Sequence, residues 1–282
     1  MKLQIEKPML KSLALMASVI EARDVYTGGH LWRVSQYAKL LAEAAGLTSE
    51  MVFLAGLGGF LHDIGKIGIP DHILGKRGNL TASEYDVVKT HPGIGALLIQ
   101  EHPLGALALS AVHQHHEWVD GRGYPERLQG EQISIYARIV AIADAFDALT
   151  STRPYRRGVA VEPAVALLRA EHGTQFDALL LDSFLGMVRS EALRELVGTS
   201  EQGVLMVTCP NCGPVITVSR RTRDGDIGFC RVCGTRHRLH RSGDTFDVEP
   251  IGEKATAGDL QPRPEWAAIQ AIISLAPASV EI

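Results

Sequence analysis

Apolar residues recur every three or four positions through most of the first 195 residues, which is the spacing of one helix face. Thr81 and Glu84 form a predicted capping box, and Pro92 occupies the first turn of another predicted helix. The Gly- and Pro-rich stretch 65–80 is predicted to be a loop, and a turn is predicted at 26–29. The apolar pattern predicts helices over residues 9–45 (interrupted by that turn), 49–61, 104–118, 135–149, 163–168 and 176–188.

The pattern changes after residue 203. Short apolar runs at 204–207, 215–218 and 246–248 predict β-strands, and one further short helix is predicted over 265–275. No convincing strand precedes residue 203. We therefore expect a mainly α protein with three parts: an all-α domain at 1–195, a small β module at 203–249, and a tail at 250–282 with one short helix.

The predicted helix 135–149 is apolar on every side between Ile139 and Phe146, apart from Asp144. A helix that is apolar all round is buried, and a buried carboxylate needs a partner or a cavity beside it. Asp144 is therefore a candidate functional residue.

Histidines and aspartates stand at the ends of the other predicted helices. Imidazole and carboxylate together suit Fe, Mn or Zn better than Ca or Mg. A single helical histidine is more often an ordinary core or surface residue, and His72, His102, His113 and His172 are assigned to that class. Core packing does not readily explain the remaining set together, so we predict these metal ligands: His30, His62, Asp63, His91, His115, His116 and Asp144.

The adjacent His62 and Asp63 can serve two metals, since an imidazole binds one ion while a carboxylate bridges both. Such a centre lowers the pKa of a bridging water to give hydroxide, and it polarises a phosphoryl oxygen. A centre of two divalent ions with these ligands therefore favours phosphoester hydrolysis, and among the ions that the ligands suit we expect Fe or Mn.

The net charge and the hydropathy of the chain exclude some kinds of protein. The 282-residue chain has a net charge of −4 at pH 7, which argues against a general polyanion binder. The N-terminal lysines and apolar run resemble a signal peptide, but Glu21, Arg23 and Asp24 follow at once. No apolar run reaches the roughly 18 residues that span a bilayer. We expect a soluble cytoplasmic protein with no membrane partner.

The four cysteines form two Cys-x-x-Cys pairs separated by 17 residues, each followed by glycine. Thiolates at this spacing predict a closed tetrahedral zinc site and not a redox or disulfide pair, and the module resembles a zinc ribbon. His237 and His240 are predicted to take no part. The predicted structural zinc ligands are Cys209, Cys212, Cys230 and Cys233.

Arginine is concentrated between Cys209 and Arg241, a stretch in which Asp224 and Asp226 are the only acidic residues. This basic face could bind nucleic acid or an acidic protein surface, or it could be a solvated surface of a module that docks on the helical domain. The arginines are Arg220, Arg221, Arg223, Arg231, Arg236, Arg238 and Arg241.

Several motifs together resemble the HD-GYP family, a subgroup of the HD superfamily of metal-dependent phosphohydrolases. They cover roughly residues 10–190 in the family's order and spacing. The motifs are TGGH at 27–30, HDIGK at 62–66, HPG at 91–93, HHEWVDGRGYP at 115–125, DAFDALT at 144–150 and RPYR at 153–156.

The resemblance implies an all-α HD fold and hydrolysis of cyclic di-GMP to linear pGpG, with GMP as a further product. His62, Asp63 and Asp144 match the superfamily's metal core. His30 matches the family's early histidine, and the second-metal ligands match His91, His115 and His116.

The resemblance also assigns substrate contacts. Lys66 matches a lysine beside the scissile phosphate, where a cation stabilises developing negative charge. Arg153 and Arg156 match residues that hold the substrate's phosphates, the alternative being surface charge or a pair with Asp147. Tyr124 lies in the family's signature loop, residues 121–125, which is expected to shape the pocket.

One position departs from the pattern. Some family members carry a glutamate four residues before the early histidine as a ligand for a third metal, and Tyr26 stands there in this chain. We therefore predict two metals and pGpG as the product. Two alternatives remain: an HD phosphohydrolase acting on another cyclic dinucleotide or nucleotide, and a cyclic di-GMP-binding adaptor that signals through its zinc ribbon.

Overall fold

The computed structural model describes residues 2–21, 29–76, 78–151, 158–201, 204–219, 221–243, 245–261 and 266–281. Short 3₁₀ helices cover Ile64–Gly68, Gly105–Leu107 and Gly130–Gln132. The α-helices are α1 (Lys7–Glu21), α2 (His30–Ala44), α3 (Ser49–Leu61), α4 (Asp71–Leu74), α5 (Ala82–Val88), α6 (His91–Ile99), α7 (Leu109–Gln114), α8 (Ile135–Thr150), α9 (Val161–Ala170), α10 (Ala178–Met187), α11 (Glu191–Leu196) and α12 (Trp266–Leu275).

The strands form three small antiparallel sheets, with orders β1-β8, β2-β3-β4 and β5-β6-β7. The expected class, mainly α with a small β module, is confirmed. The strands are β1 (Lys2–Gln4), β2 (Thr199–Glu201), β3 (Val204–Cys209), β4 (Gly213–Ser219), β5 (Ile227–Phe229), β6 (Thr235–Ser242), β7 (Thr245–Lys254) and β8 (Ser279–Glu281).

Local side-chain chemistry fixes where several helices begin. The predicted capping box opens α5: Thr81 Oγ1 accepts from the Glu84 backbone N–H, and Glu84 Oε2 accepts from the Thr81 N–H at 2.7 Å. Thr48 caps α3 in the same way by accepting from the Met51 N–H. Each cap satisfies a backbone donor that the first helical turn leaves unpaired, so these helix starts were predictable from sequence.

The core surrounds α3, which is apolar on nearly every side. Leu57, Phe60 and Leu61 are almost completely buried, and each contributes about 1.5–3 kcal/mol through burial. One hydrophobic cluster joins α3 to α1 and α12, and a second joins α2 to α8, α9 and α10. Because α3 runs through the interior, the two residues that follow it, His62 and Asp63, are delivered to the inside of the protein.

Some predicted boundaries were wrong. The stretch 65–80 is not a plain loop, because it contains most of a 3₁₀ helix and α4. The helix predicted over 104–118 is shorter, since α7 ends at Gln114 and His115 caps it. Strands β1 and β2 precede residue 203, and β5 and β6 were not predicted. Strand β1 pairs with β8 near the other end of the chain, a relationship that no local pattern contains.

The end of the chain packs onto the helical domain. Helix α12 contributes Ala268, Ile269, Ile272 and Ile273 to the cluster around α1 and α3. Strand β8 adds Val280 to the same cluster. Among the described residues, no helix is both long and apolar enough to cross a membrane.

Candidate metal centre

Four histidines and one aspartate of the site lie at helix ends. His30 and His91 are the first residues of α2 and α6, while His62 follows α3 and His115 follows α7. Asp63 precedes the 3₁₀ helix Ile64–Gly68. Helix termini can approach one another more closely than helix sides, so these short side chains converge.

Gly65 permits a close approach between the 3₁₀ helix Ile64–Gly68 and α6. A Cβ atom at this position would lie 1.9 Å from the carbonyl oxygen of His91 and 2.5 Å from the backbone nitrogen of Gly95. The 3₁₀ helix therefore rests directly on the backbone of α6. Its glycine sets the distance between Asp63 and His91.

The first cluster consists of His30, His62 and Asp144. His30 Nε2 lies 3.3 Å from His62 Nε2 and 3.4 Å from Asp144 Oδ1, and His62 Nε2 lies 3.8 Å from the same carboxylate oxygen. Three donor atoms within 4.8 Å of one another can hold one metal ion. Asp144 is only partly buried and faces this cluster, which explains a carboxylate in an apolar helix.

The second cluster consists of His91, His115 and His116. Their donor atoms also lie within 4.8 Å of one another, and His91 Nε2 is 3.1 Å from His115 Nε2. The ring of His116 packs edge-on against His91 and at 4.2 Å from His115, measured between centroids. The two clusters come from different helices and were brought together by the fold.

Asp63 lies between the clusters. Its Oδ2 is 3.4 Å from His30 Nε2 and 3.3 Å from His62 Nε2, whereas Oδ1 is 3.4 Å from His91 Nε2. Each carboxylate oxygen thus faces a different set of imidazoles. This is the arrangement expected of a carboxylate that bridges two ions.

The outer nitrogens of the histidines are anchored. The Nδ1 atoms of His62, His91 and His115 lie 2.7, 2.8 and 2.9 Å from the carbonyl oxygens of Gly59, Val88 and Val112. A carbonyl oxygen only accepts hydrogen bonds, so Nδ1 carries the proton. In a neutral ring this leaves the Nε2 lone pair directed into the site. Outer hydrogen bonds of this kind orient metal-binding histidines, so the donor set fits a pair of divalent ions.

Burial and neighbouring charges separate the two clusters electrostatically. Burial lowers the pKa of His116 to about 3, helped by the neighbouring His91, and it also lowers the pKa of His91 and His115. Burial opposes the charged form of His30 too, but the Asp147, Asp63 and Asp144 carboxylates raise its pKa to about 9. In the metal-free protein at neutral pH, the three histidines of the second cluster are therefore uncharged. His30 is instead protonated, and the neighbouring carboxylates stabilise its charge.

Lys66 and Tyr124 also lie at the site. Lys66 Nζ contacts Asp63 Oδ2 at 2.6 Å, and the side chain is largely buried. Tyr124 stacks on the His116 ring. Three residues of the sequence prediction lie outside the described residues: the predicted phosphate-binding Arg153 and Arg156, and Tyr26, which stands where some family members have a third-metal ligand.

The segment that directly follows the signature loop is held by Glu117, which the sequence prediction did not single out. This buried carboxylate accepts hydrogen bonds from three successive backbone N–H groups at 2.6, 3.1 and 3.0 Å, those of Glu126, Arg127 and Leu128. Tyr124 N–H donates to the His116 carbonyl oxygen at 3.1 Å. The position of Glu117 directly after the His-His pair was the signal that the sequence offered.

Glu21 is a second residue that was missed. Its Oε1 accepts from the Leu31 N–H at 3.0 Å, but its buried Oε2 has no hydrogen-bond partner. It lines a cavity of about 20 Å³ beside the site, together with His30, Asp63 and Lys66. Burial raises the pKa of Glu21 to about 7, against the backbone hydrogen bond of Leu31.

Asp147 and Arg33 form a buried pair behind the first cluster. Asp147 Oδ2 lies 2.8 Å from His30 Nδ1, and Arg33 binds both Asp147 oxygens, at 2.5 and 3.0 Å. The charge of Arg33 and the hydrogen bond of His30 together lower the pKa of Asp147 against its burial. Asp147 appeared in the sequence prediction only as a possible partner of other arginines.

The four cysteines form a third cluster in the β module. Their sulfur atoms all lie within 4.8 Å of one another, and all four are free thiols. The glycine after each pair, Gly213 or Gly234, has a positive φ of 89° or 69°, which glycine adopts without strain. His237, which is predicted to take no part, is a fully buried ring beside this cluster, with Nε2 3.7 Å from Cys209 Sγ.

Comparison with known proteins supports the sequence resemblance. Residues 14–180 match the HD domain family. The response regulator RpfG of Xanthomonas campestris pv. campestris, a cyclic di-GMP phosphodiesterase, is 44% identical over 185 residues, covering 64% of this chain and 49% of that protein. A cyclic di-GMP phosphodiesterase of Vibrio cholerae is 38% identical over 191 residues, covering 62% of this chain and 39% of that protein.

A 3′3′-cGAMP-specific phosphodiesterase of V. cholerae is 38% identical over 170 residues, covering 60% of this chain and 39% of that protein. The chain spans about half the length, or less, of these curated relatives. A solved structure of a V. cholerae cyclic GMP-AMP-specific phosphodiesterase aligns with TM-score 0.49 at 20% identity, covering 65% of this chain and 50% of that one. Since the family match extends over more than half of the chain, the chain belongs to the HD-domain family.

Proposed function

We propose that this chain hydrolyses the phosphodiester bond of cyclic di-GMP to give linear pGpG. The observation that carries the proposal is the position of Asp63, whose two oxygens face two separate histidine clusters. A single-metal site would not need the second cluster. The motifs of the HD-GYP family and the cyclic di-GMP phosphodiesterases among the relatives favour this substrate.

In this proposal His30, His62 and Asp144 would hold one divalent ion, Fe or Mn, and the second cluster would hold the other, with Asp63 as a ligand available to both. When bound, such ions supply a water of lowered pKa and stabilise negative charge on a phosphoryl oxygen. The anchored Nδ1 atoms keep the imidazoles in place, so little reorganisation is needed when ions bind. We predict two ions and not three, because Tyr26 stands where some family members have a glutamate ligand for a third metal.

The remaining side chains bind and orient the substrate. Lys66 carries a positive charge at the edge of the site, where it would bind a non-bridging oxygen of the scissile phosphate. Tyr124 forms an aromatic wall beside His116. Arg153 and Arg156 are proposed to hold the substrate's phosphates.

The test is incubation of the Mn- or Fe-loaded full chain, purified without oxygen, with a panel of nucleotides, followed by chromatography of the products. We expect pGpG from cyclic di-GMP and no turnover by Asp63→Ala. His172→Ala is the matched control, because His172 is exposed, pairs with Asp182 and belongs to neither histidine cluster. Turnover by Asp63→Ala equal to that of the wild type would refute the assigned centre.

A related substrate has its own support, since 3′3′-cGAMP-specific phosphodiesterases are 38% identical to this chain. The panel therefore includes 3′3′-cGAMP and cyclic mononucleotides, and the ratio of kcat/KM values identifies the preferred substrate. Tight binding of cyclic di-GMP without turnover under several metals would favour the adaptor alternative.

We further infer that the four cysteines hold one structural zinc ion, supported by their clustering and by the two turn glycines. The exposed arginines of the module, including Arg231 and Arg238, offer a surface for an acidic protein or a nucleic acid. Arg236 instead forms ion pairs with Asp259 and Glu253. Salt titration of binding to labelled RNA and DNA tests this partner; binding that salt does not weaken would exclude the electrostatic contact.

A further inference from the structure

Strand β2 packs against the start of α2, directly beside the metal centre. A Cβ atom at Gly29 would lie 2.2 Å from the Cα atom of Ser200, so the two backbones are in contact. Thr199 and Ser200 are both buried. The residue after Gly29 is His30, which means that β2, the strand that joins the sheet of the β module, touches the chain immediately beside a candidate ligand.

Arg33 connects the two parts through polar contacts. This buried guanidinium donates to the Thr199 carbonyl oxygen at 2.5 Å and lies 3.8 Å from Met206 Sδ of β3, while its other nitrogens bind Asp147. Asp147 in turn accepts from His30 Nδ1. A continuous series of hydrogen bonds therefore runs from the backbone of β2 to a ligand of the first cluster.

The same sheet leads to the cysteines. Strand β2 pairs with β3, in register between Thr199 and Leu205, and Cys209 is the last residue of β3. Folding of a small cysteine module of this kind depends on its metal. Loss of the zinc would therefore release β2, remove the acceptor of Arg33, and loosen the orientation of Asp147 and His30.

We propose that Arg33 is a positioning residue through which the cysteine module raises the affinity of the helical centre for divalent ions. The proposal rests on the metal centre and the zinc site proposed above. Because coupling between two binding sites is reciprocal, ions bound at the helical centre strengthen zinc binding at the cysteines by the same factor. A factor of about ten is expected, within the usual range for coupled sites.

The test measures Mn²⁺ binding to the full chain from the electron paramagnetic resonance of free Mn²⁺. The variants are Cys212→Ser/Cys233→Ser, which removes one thiolate from each knuckle, Arg33→Lys, and their combination. Lysine keeps the charge but cannot contact both Asp147 oxygens and Thr199 together. We expect each variant to raise the Kd of the first-cluster ion about tenfold, and the combination to raise it no further.

His240→Ala is the matched control, since His240 lies in the same module but only pairs with Glu249 at its surface; its Kd should equal that of the wild type. An unchanged Kd in the cysteine variant, or multiplied effects in the combination, would overturn the proposal. These Kd values do not depend on turnover, so they also distinguish failure of this proposal from failure of the proposed hydrolysis.

A measurement on the wild type avoids any dependence on how the cysteine variant folds. The zinc affinity is determined by competition with a chromogenic chelator, with and without saturating Mn²⁺. Reciprocity predicts about tenfold tighter zinc binding with Mn²⁺, and no such gain in Arg33→Lys. Equal zinc affinity in wild type under both conditions would overturn the coupling.

Discussion

Tyr124 stacks on His116, with ring centroids 4.8 Å apart and planes inclined by 24°. Burial, and the nearby Tyr85 and Asp144, raise the pKa of the Tyr124 phenol, which therefore stays neutral. A neutral aromatic ring beside a candidate metal ligand offers a substrate base a stacking surface without adding charge to the site.

Replacing Tyr124 should weaken substrate binding more than metal binding. Tyr124→Ala removes the ring and its stack on His116, so we expect KM for cyclic di-GMP to rise about tenfold, which is roughly 1.4 kcal/mol. Tyr124→Phe keeps the ring and serves as the matched variant, with KM within about threefold of the wild type. Metal content, measured by mass spectrometry, should stay the same in both; loss of metal in Tyr124→Ala would contradict a substrate-binding role.

Glu117 should be essential for the conformation of the signature loop, because it binds the backbone of the segment that directly follows the loop. Glutamine can accept at one oxygen only, so Glu117→Gln leaves at least one of the three loop N–H groups facing an amide donor. We expect a loss of about 2–4 kcal/mol in the free energy of unfolding, measured by urea titration. Glu126→Gln is the control, because Glu126 is exposed and contributes only its backbone N–H. Equal stability of the two variants would refute the loop-holding role.

The parts of the fold that depend on near neighbours were predictable. Thr81 and Glu84 are three residues apart, and their capping box is the one expected from sequence. The candidate ligands were found by residue type, because histidines next to aspartate, proline or another histidine are hard to place in an apolar core. Their grouping about Asp63 followed from the family resemblance, and the structure brings them together.

The residues that were missed owe their roles to distant contacts. Arg33 and Asp147 are 114 positions apart, and Thr199 is 166 positions from Arg33. Nothing near Arg33 in the sequence distinguishes a buried arginine from a solvated one on a helix. Asp147 lies one turn after Asp144, so its position on the same helix was a signal, but its partners could be known only from the fold.

Gly65 should be intolerant of any side chain. In Gly65→Ala the new methyl group would meet the His91 carbonyl oxygen, which must move together with the start of α6. We expect a loss of about 2–4 kcal/mol in the free energy of unfolding and weaker binding of the second-cluster ion.

Gly93→Ala is the matched control for Gly65→Ala, since a Cβ atom at Gly93 in α6 meets nothing within 4 Å. There alanine should stabilise the protein by about 0.5–1 kcal/mol, because it restricts the unfolded chain. Thermal unfolding and Mn²⁺ titration measure both variants. If Gly65→Ala bound Mn²⁺ as tightly as Gly93→Ala, the close approach would not set the geometry of the centre.

Glu21 should make the metal-free protein less stable as the pH rises. Its pKa is about 7 in the folded protein against 4.5 as the ordinary value, so the folded state holds the proton more tightly than the unfolded state. Below pH 4.5 both states are protonated and the carboxyl causes no penalty. Between pH 4.5 and 7 the penalty grows, and above pH 7 it reaches about 3.5 kcal/mol, at about 1.4 kcal/mol for each pKa unit.

Glu21→Gln tests this, since its amide oxygen can still accept from the Leu31 N–H but cannot ionise. His30 and Arg33 lower the pKa of Glu21, and Asp147 raises it. Glu21→Gln and wild type are therefore compared at each pH of one series, both as metal-free protein, so that these neighbours are the same in the two proteins. The difference in unfolding free energy between Glu21→Gln and wild type should increase in favour of the variant from pH 5 to pH 8. His30, whose pKa is about 9, and Asp147, whose pKa lies well below its usual range, keep their charge between pH 5 and pH 8, and titrating groups that do not interact with Glu21 cancel in the difference. A difference independent of pH would show that Glu21 is already ionised in the folded protein at pH 5.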